Sequence, residues 1–280
     1  MTRGRYGWIR DEARTALTLS GATGPHDIDV LRIAKALDIE VIYGGVEGAT
    51  ERITMLGGRA RIRVSDEIVL IGRRYFTIGH AIGHKACGHV IATDGDVAAW
   101  ITTACSGRTK TDERESDVFS TELLTPEAWV RPYCDPIRVD LGAVDAITRV
   151  FPVSPVMAAM RFVELTRHAC AIVYAERGIV KWARGSRTFP RLVAREMRLP
   201  RVSIAADFFD RGVLSTSARE QTARAWIPST TRITDHTVLI EHALHVPEPD
   251  WGGVLSLLWI PEMPIRTETS HDREKIAPPM

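Results

Sequence analysis

The sequence predicts an α+β protein with three parts: a small domain of helices and a short mixed sheet, a helical middle region, and a C-terminal α+β domain. Three patterns favour this class. Alternating strand-like segments over residues 51–64 precede a helix-period segment that carries two histidines. Helical patterns fill most of residues 126–165, and from Cys170 onward apolar runs return to the spacing of strands. Helices and strands in separate blocks are typical of α+β folds.

The first part of the chain predicts one helix and a small sheet. Apolar residues recur at helical spacing over residues 25–37, and the strand-like run 39–43 follows. Segments 51–56 and 59–64 alternate around a Gly-Gly pair, which is a hairpin signal. Residues 68–71 are a further apolar run and are expected to add a strand. The inner face of the first helix is expected to hold Ile28, Leu31 and Ala34, with Leu37 at its margin.

Two histidines, His80 and His84, lie four residues apart in the next predicted helix. Residues at this spacing share one helix face, so both rings can reach one metal ion. In the zinc-peptidase motif H-E-x-x-H, the residue after the first histidine is a glutamate that acts as general base. Here that residue is Ala81. The alternative is a core helix with two hydrogen-bonded histidines, which an isolated pair at this spacing would favour.

Glu113 is the preferred third metal ligand. It lies in a helix predicted over residues 112–125, which Pro126 follows, and Asp117 is one turn further along the same face. One carboxylate of this pair is expected to bind the metal, and the other to support a histidine from behind. A third protein ligand of this kind would leave one position open, as in catalytic zinc sites.

Nearby polar residues are expected to have other roles. His89 follows His84 by five residues, and on a continuing helix it faces away from the pair, so we interpret it as a helix-end or surface residue. Glu115 and Glu122 are interpreted as part of a solvated helix face. Cys87 is interpreted as a small helical core residue.

The middle of the chain predicts helices at 126–131, 139–150 and 154–165. The last has Ser154 as a plausible N-cap and Pro155 at the first helical position. Short helices in this order are typical of a helix-turn-helix arrangement. We nevertheless expect no direct DNA binding. The last helix and the residues just after it carry only two arginines, Arg161 and Arg167, and the rest of the helix has the composition of a core.

The last part predicts an antiparallel sheet. Runs 171–174 and 179–182 flank a turn that ends in a glycine and predict a hairpin. Runs 236–241 and 253–259 predict two further strands, and residues 217–223 are expected to form a helix.

Two segments of this chain resemble the paired motifs of the ImmA/IrrE metallopeptidases. Residues 74–84 read Arg-Tyr-Phe-Thr-Ile-Gly-His-Ala-Ile-Gly-His, against the family pattern R-F-T-x-A-H-E-x-x-H. Residues 113–126 read Glu-Arg-Glu-Ser-Asp-Val-Phe-Ser-Thr-Glu-Leu-Leu-Thr-Pro, against E-x-x-A-N-x-F-A-x-x-L-L-M-P. The two motifs occur in the family's order and at the expected separation.

The resemblance implies that His80, His84 and Glu113 bind Zn²⁺. It also identifies three departures from the family pattern. Ala81 stands where the family has its catalytic glutamate, while Asp117 and Thr125 replace the usual Asn and Met. The first departure removes the proton-handling group, so this polypeptide is expected to be catalytically inactive.

By this resemblance the chain is a zinc endopeptidase that cleaves a helix-turn-helix repressor in a stress or mobile-element response, here inactivated at Ala81. The alternative is a natural pseudoprotease, a zinc-stabilised module that holds a protein partner without cutting it. The implied domains are a zinc-metallopeptidase-like domain (1–131), a helix-turn-helix-like region (132–169), a C-terminal α+β domain for sensing or partner choice (170–264) and a disordered tail (265–280).

Composition bears on nucleic-acid binding, membrane association and the state of the cysteines. The chain has 280 residues, 45% apolar and 25% charged, with a net charge of +1, so no bulk charge favours nucleic acid or a membrane surface. It contains no apolar run of membrane-spanning length and no signal-peptide core, and we expect a cytoplasmic protein. Its four cysteines form no C-x-x-C and are interpreted as separate reduced thiols: Cys87, Cys105, Cys134 and Cys170.

Overall fold

The computed structural model describes residues 6–93, 109–190, 193–228, 233–247 and 252–263. It confirms the α+β class with a helical middle region. The chain forms two compact units. Unit 1 contains the residues up to Trp129 together with Thr148–Ser154, and unit 2 contains Val130–Ile147 and most of the chain from Pro155 onward. The middle helices and the C-terminal sheet, which the sequence analysis treats as separate domains, thus share unit 2.

Unit 1 combines helices with one mixed sheet. Its helices are α1 (Gly7–Ser20), α2 (Val30–Ala36), α3 (Ile71–Ala86) and α4 (Lys110–Leu124). Its strands are β1 (Ile39–Tyr43), β2 (Glu51–Leu56), β3 (Arg59–Val64) and β4 (Ala92–Thr93). They lie in the order β1-β3-β2-β4, with β1 and β3 parallel and β2 antiparallel to β3.

The predicted hairpin is confirmed. Gly57 and Gly58 both have positive φ, 57° and 83°, which a two-residue turn between twisted strands requires. The expected strand at 68–71 is wrong: Ile71 is the first residue of α3, and Val69 and Leu70 are exposed. An apolar run of four residues does not distinguish a strand from the approach to a helix.

The first predicted helix starts later than expected. Asp29 is its N-cap and accepts bonds from the backbone N–H groups of Leu31 and Arg32, so α2 begins at Val30. This later start changes the buried face. Leu31 is 43% exposed, whereas Ile33 is fully buried beside Ala34.

Helix α1 has no counterpart in the sequence predictions. Several of its buried positions are small residues, which give a weak periodic signal. Its Arg14 explains a second error, because Arg14 Nε donates to Glu122 Oε1 at 3.2 Å. Glu122 is 1% exposed and does not belong to a solvated face. A buried carboxylate of this kind needs a charged or hydrogen-bonding partner.

The remaining helices are α5 (Glu127–Val130), α6 (Leu141–Val150), α7 (Pro155–Leu165) and α8 (Ile204–Arg211). The remaining strands are β5 (Cys170–Glu176), β6 (Ile179–Gly185), β7 (Arg219–Thr222), β8 (Val238–Val246) and β9 (Gly253–Trp259). These strands form an antiparallel sheet in the order β6-β5-β9-β8-β7.

The C-terminal sheet confirms the predicted hairpin and two later strands, and corrects one helix. Residues 219–222 form β7, not a helix, and the true helix is α8, which the sequence patterns do not predict. Glu241 on β8 helps to position α8, because its buried carboxylate accepts hydrogen bonds from the backbone N–H groups of Ile204 and Ala205 at 2.8 and 3.2 Å. A contact between residues so far apart in sequence leaves no local signal.

Within the described ranges, no single helix has the length and apolar content needed to cross a membrane. Helices α6 and α7 meet that test only when taken together, across a break where they bend by 112°. The predicted tail at 265–280 and Cys105 lie outside the described residues.

Candidate metal centre

Helix α3 presents His80 and His84 side by side, as their spacing predicts. Their Nε2 atoms are 3.0 Å apart and their ring centroids 4.7 Å apart. The His84 side chain is fully buried and that of His80 is 13% exposed. Two ring nitrogens this close suit one shared proton or one shared cation.

A pair of glycines allows α4 to approach this face of α3. A Cβ on Gly79 would meet Ser120 Oγ at 2.6 Å, and one on Gly83 would meet the Cα of Ser116 at 3.0 Å. The Ser120 hydroxyl donates to the backbone oxygen of Phe76 at 3.0 Å. Glycines on one helix and serines on the other therefore set the distance between the two helices.

This close packing brings Glu113 to the histidine pair. Glu113 Oε2 is 3.1 Å from His80 Nε2, and Oε1 is 3.5 Å from His84 Nε2. Helix α4 begins one turn earlier with a capping box, in which Thr109 and Asp112 bond each other's backbone N–H groups. The structure therefore brings together all three residues that the sequence proposes as ligands.

Asp117 supports His80 from behind, as the sequence analysis expected of one carboxylate. Its Oδ1 is 3.0 Å from His80 Nδ1, the nitrogen that faces away from Glu113. Burial lowers the pKa of His80, but the hydrogen bond to Asp117 and the charges of Glu51, Asp117 and Glu113 outweigh burial, so the pKa is raised above its ordinary value of 6.5. The surrounding carboxylates therefore favour positive charge at this ring.

His89 is not a surface residue, and this expectation was wrong. Its side chain is 5% exposed, its Nδ1 is 2.9 Å from His84 Nδ1, and its Nε2 is 3.1 Å from Glu115 Oε2. Glu115 is correspondingly 17% exposed and does not belong to a solvated face. His84 is therefore held from behind by a histidine and a carboxylate.

The end of α3 explains the position of His89. Gly88 has φ of 72°, and the backbone N–H groups of Gly88 and His89 donate to the carbonyls of Lys85 and His84 at 3.1 and 3.0 Å. This is the Schellman pattern, which turns the chain back over the last helical turn. Extending the helical angle to His89 therefore gave the wrong direction. Gly88 was the sequence signal that could have corrected it.

Glu51, at the start of β2, is a residue that the sequence analysis did not consider. One of its carboxylate oxygens and a ring nitrogen of each of His80 and His84 lie within 4.8 Å of one another. No local pattern identifies Glu51, because the strand brings it to α3 across more than twenty residues of sequence.

Ala81 lies within α3, and Cys87 follows the last residue of that helix. Ala81 is fully buried and brings no acid–base group to the position after His80. Burial raises the pKa of the Cys87 thiol to about 12, with smaller contributions from the charges of Glu115 and Glu12. A thiol with this pKa stays protonated at neutral pH, which disfavours a nucleophilic role for Cys87.

The donor set fits zinc. Tetrahedral zinc with bonds of about 2.0–2.1 Å places its donor atoms roughly 3.3 Å apart. The distances among His80 Nε2, His84 Nε2 and the two Glu113 oxygens are 3.0, 3.1 and 3.5 Å. Small movements of these side chains would hold the ion.

A second group, formed by His89, Asp112 and Glu115, also has ligand atoms within 4.8 Å of one another. The two groups are linked by the contact between His84 Nδ1 and His89 Nδ1, which has room for one proton. If His84 binds metal through Nε2, its proton is on Nδ1 and donates to His89 Nδ1. His89 then carries its own proton on Nε2, which faces Glu115. We therefore assign His89 and Glu115 to supporting His84.

Comparison with known proteins adds a likeness of fold. No protein-family model matches the sequence, and a search of curated proteins finds no match. The structure is similar to that of a Mycobacterium tuberculosis transcriptional regulator, with a TM-score of 0.57 at 15% sequence identity. The match covers 96% of this chain and 90% of that chain. At this identity the similarity extends to the fold alone.

Proposed function

We propose that this chain binds one Zn²⁺ through His80, His84 and Glu113 in a centre of the metallopeptidase type, and that it holds a protein target without cutting it efficiently. The convergence of two imidazole nitrogens and one carboxylate within 3.5 Å of one another carries the proposal. With three protein ligands and one open position, zinc would supply a Lewis acid that can polarise a peptide carbonyl.

The residues around the proposed zinc position have different roles. Asp117 and His89 fix the ring orientations of His80 and His84, as partners behind metal-ligating histidines commonly do. Ala81 offers no group to take up or deliver a proton, and a positioned acid–base group is worth about 10²–10⁴-fold in rate. The chain is therefore able to bind a peptide but lacks a large part of the catalytic step.

We expect an extended peptide to bind beside this centre. Within the described residues, β4, which is two residues long, forms one edge of the small sheet. A peptide can add to such an edge through main-chain hydrogen bonds. By family resemblance the target is a helix-turn-helix repressor in the cytoplasm.

Metal analysis tests the centre. We expect one zinc per chain, and loss of zinc from the His84→Ala and Glu113→Ala variants. The matched control is Glu47→Ala, which removes an exposed carboxylate on the loop before β2. Equal zinc content in the parent chain and in both ligand variants would overturn the proposed function.

Restoring the missing base separates two candidate functions. If the chain is an endopeptidase disabled only at position 81, the Ala81→Glu variant should release discrete fragments from a repressor that co-purifies with the parent, whereas Ala81→Gln should not. A target that stays bound and intact with Ala81→Glu supports the pseudoprotease. The position of Glu51 beside the histidines favours this second function.

A further inference from the structure

We propose that Glu51 is a fourth protein ligand of the metal, so that the centre is a closed site of two histidines and two glutamates. The inference rests on the proposed function in one respect, since it takes His80, His84 and Glu113 as the other ligands. Structural zinc sites are closed by four protein ligands, whereas catalytic sites keep one position open.

Distance supports this role. A Glu51 carboxylate oxygen and the two histidine nitrogens lie within 4.8 Å of one another. Donor atoms of a tetrahedral zinc ion are roughly 3.3 Å apart. The Glu51 oxygen is therefore at most about 1.5 Å too far from the two histidine nitrogens, and a change of rotamer in the flexible glutamate side chain can cover that distance.

Strand geometry directs Glu51 toward the site. Side chains alternate between the two faces of a strand, so Glu51 shares its face of β2 with Ile53. Ile53 is 3% exposed, and the residue directly opposite Glu51 on β3 is Val64, which is fully buried. Glu51 therefore lies on the buried face of the sheet, against which α3 packs.

A closed centre has a clear consequence. With Glu51 bound, no position remains at which a water or a peptide carbonyl can reach the metal. The lack of a base at Ala81 and the filling of the fourth position would then both oppose peptide hydrolysis. The metal would then be a fixed crosslink between β2, α3 and α4.

Cobalt spectroscopy tests the coordination directly. The full-length chain is loaded with Co²⁺ in place of zinc, and its visible absorption is followed while azide is added. We expect no azide-dependent change in the parent chain, because no position is open to the anion. In Glu51→Ala the position opens, so azide should change the spectrum, and zinc affinity should fall by at least about tenfold.

Glu47→Ala is the control and should behave as the parent. An azide-dependent change in the parent chain would overturn the assignment of Glu51 and leave the three-ligand centre intact. Failure of the parent to bind zinc or cobalt would instead overturn the proposed function. Should Glu51→Ala not fold, Glu51→Gln serves as the second variant, and the azide titration of the parent decides by itself.

Discussion

The proton positions at the candidate centre follow from the residues behind each histidine. A ring that binds metal through Nε2 carries its proton on Nδ1, and that proton needs an acceptor. For His80 the acceptor is the Asp117 carboxylate, and for His84 it is His89, whose own Nε2 faces Glu115. In the proposed zinc complex, these side chains would fix both tautomers without touching the ion.

His89 is therefore expected to control metal affinity. Replacing it with alanine leaves the Nδ1–H of His84 without this acceptor and frees the ring to rotate. We expect His89→Ala to weaken zinc binding by about 10–100-fold without removing a ligand. Competition with a chromogenic chelator measures the change. His26→Ala, at an exposed histidine, is the control. Equal affinities for both variants would show that His89 has no such role.

The metal-free protein should depend on pH through His80. Its pKa is raised in the folded state, so its protonated form stabilises the fold. This contribution is fully present below 6.5 and is lost as pH rises through the folded pKa, because in that window the folded chain binds more protons than the unfolded one. Melting temperatures of the EDTA-treated protein, compared with His80→Gln across this range, measure the difference. A parallel pH dependence of the two proteins would contradict the prediction.

At the scale of elements, the site depends on how closely α4 approaches α3. Gly83 faces Ser116 and Phe119 of α4, and its Cβ would meet the Ser116 Cα at 3.0 Å and the Phe119 Cβ at 3.1 Å. These neighbours are backbone and near-backbone atoms, which cannot move aside. The lack of a side chain at Gly83 therefore sets the distance between α3 and α4. That distance in turn allows Glu113 to reach the two histidines.

Gly83→Ala should consequently destabilise the protein. In an open helix the change from glycine to alanine is worth about 1 kcal/mol of stability. Here overpacking is expected to cost about 1–3 kcal/mol and to weaken zinc binding as well. Chemical denaturation with and without zinc measures both the change in the free energy of unfolding and the change in zinc binding. Gly45→Ala, where nothing lies within 4 Å of the added Cβ, should leave both unchanged within error. A stabilised Gly83→Ala would mean that the helices adjust at no cost.

The elements also show what local patterns predict. The β2–β3 hairpin, α4 and the β5–β6 hairpin follow from period, capping and turn residues in adjacent sequence. The strand β7 and the helix α8 do not, because each depends on a partner far away in the sequence, namely β8 and Glu241. The start of α2 is set locally by the N-cap Asp29, and the periodic pattern alone does not show it. The site follows the same rule: the spacing of His80 and His84 predicts their pairing, whereas Glu51 joins them only through the fold.

At the scale of the whole molecule, the proposed ligands all belong to one unit. His80, His84, Glu113 and Glu51 lie in unit 1, which has its own sheet and buried residues. The core of unit 2 is built on a separate sheet and includes Val173 and Leu258, both almost fully buried. The proposed zinc would therefore crosslink elements of unit 1 only, because unit 2 supplies no proposed ligand.

Removal of the metal should loosen unit 1 alone. With zinc bound, the amide protons of α3, α4 and β2 should exchange slowly, because opening any of these elements breaks a metal bond. After chelation we expect faster exchange in these three elements and unchanged exchange in β5 and β9. Hydrogen exchange measured by mass spectrometry distinguishes α3, α4 and β2 from β5 and β9. In His84→Ala, added zinc should protect neither set. If chelation accelerates exchange in β5 and β9 as strongly as in α3, the stability of unit 2 also depends on the metal, and the prediction is wrong.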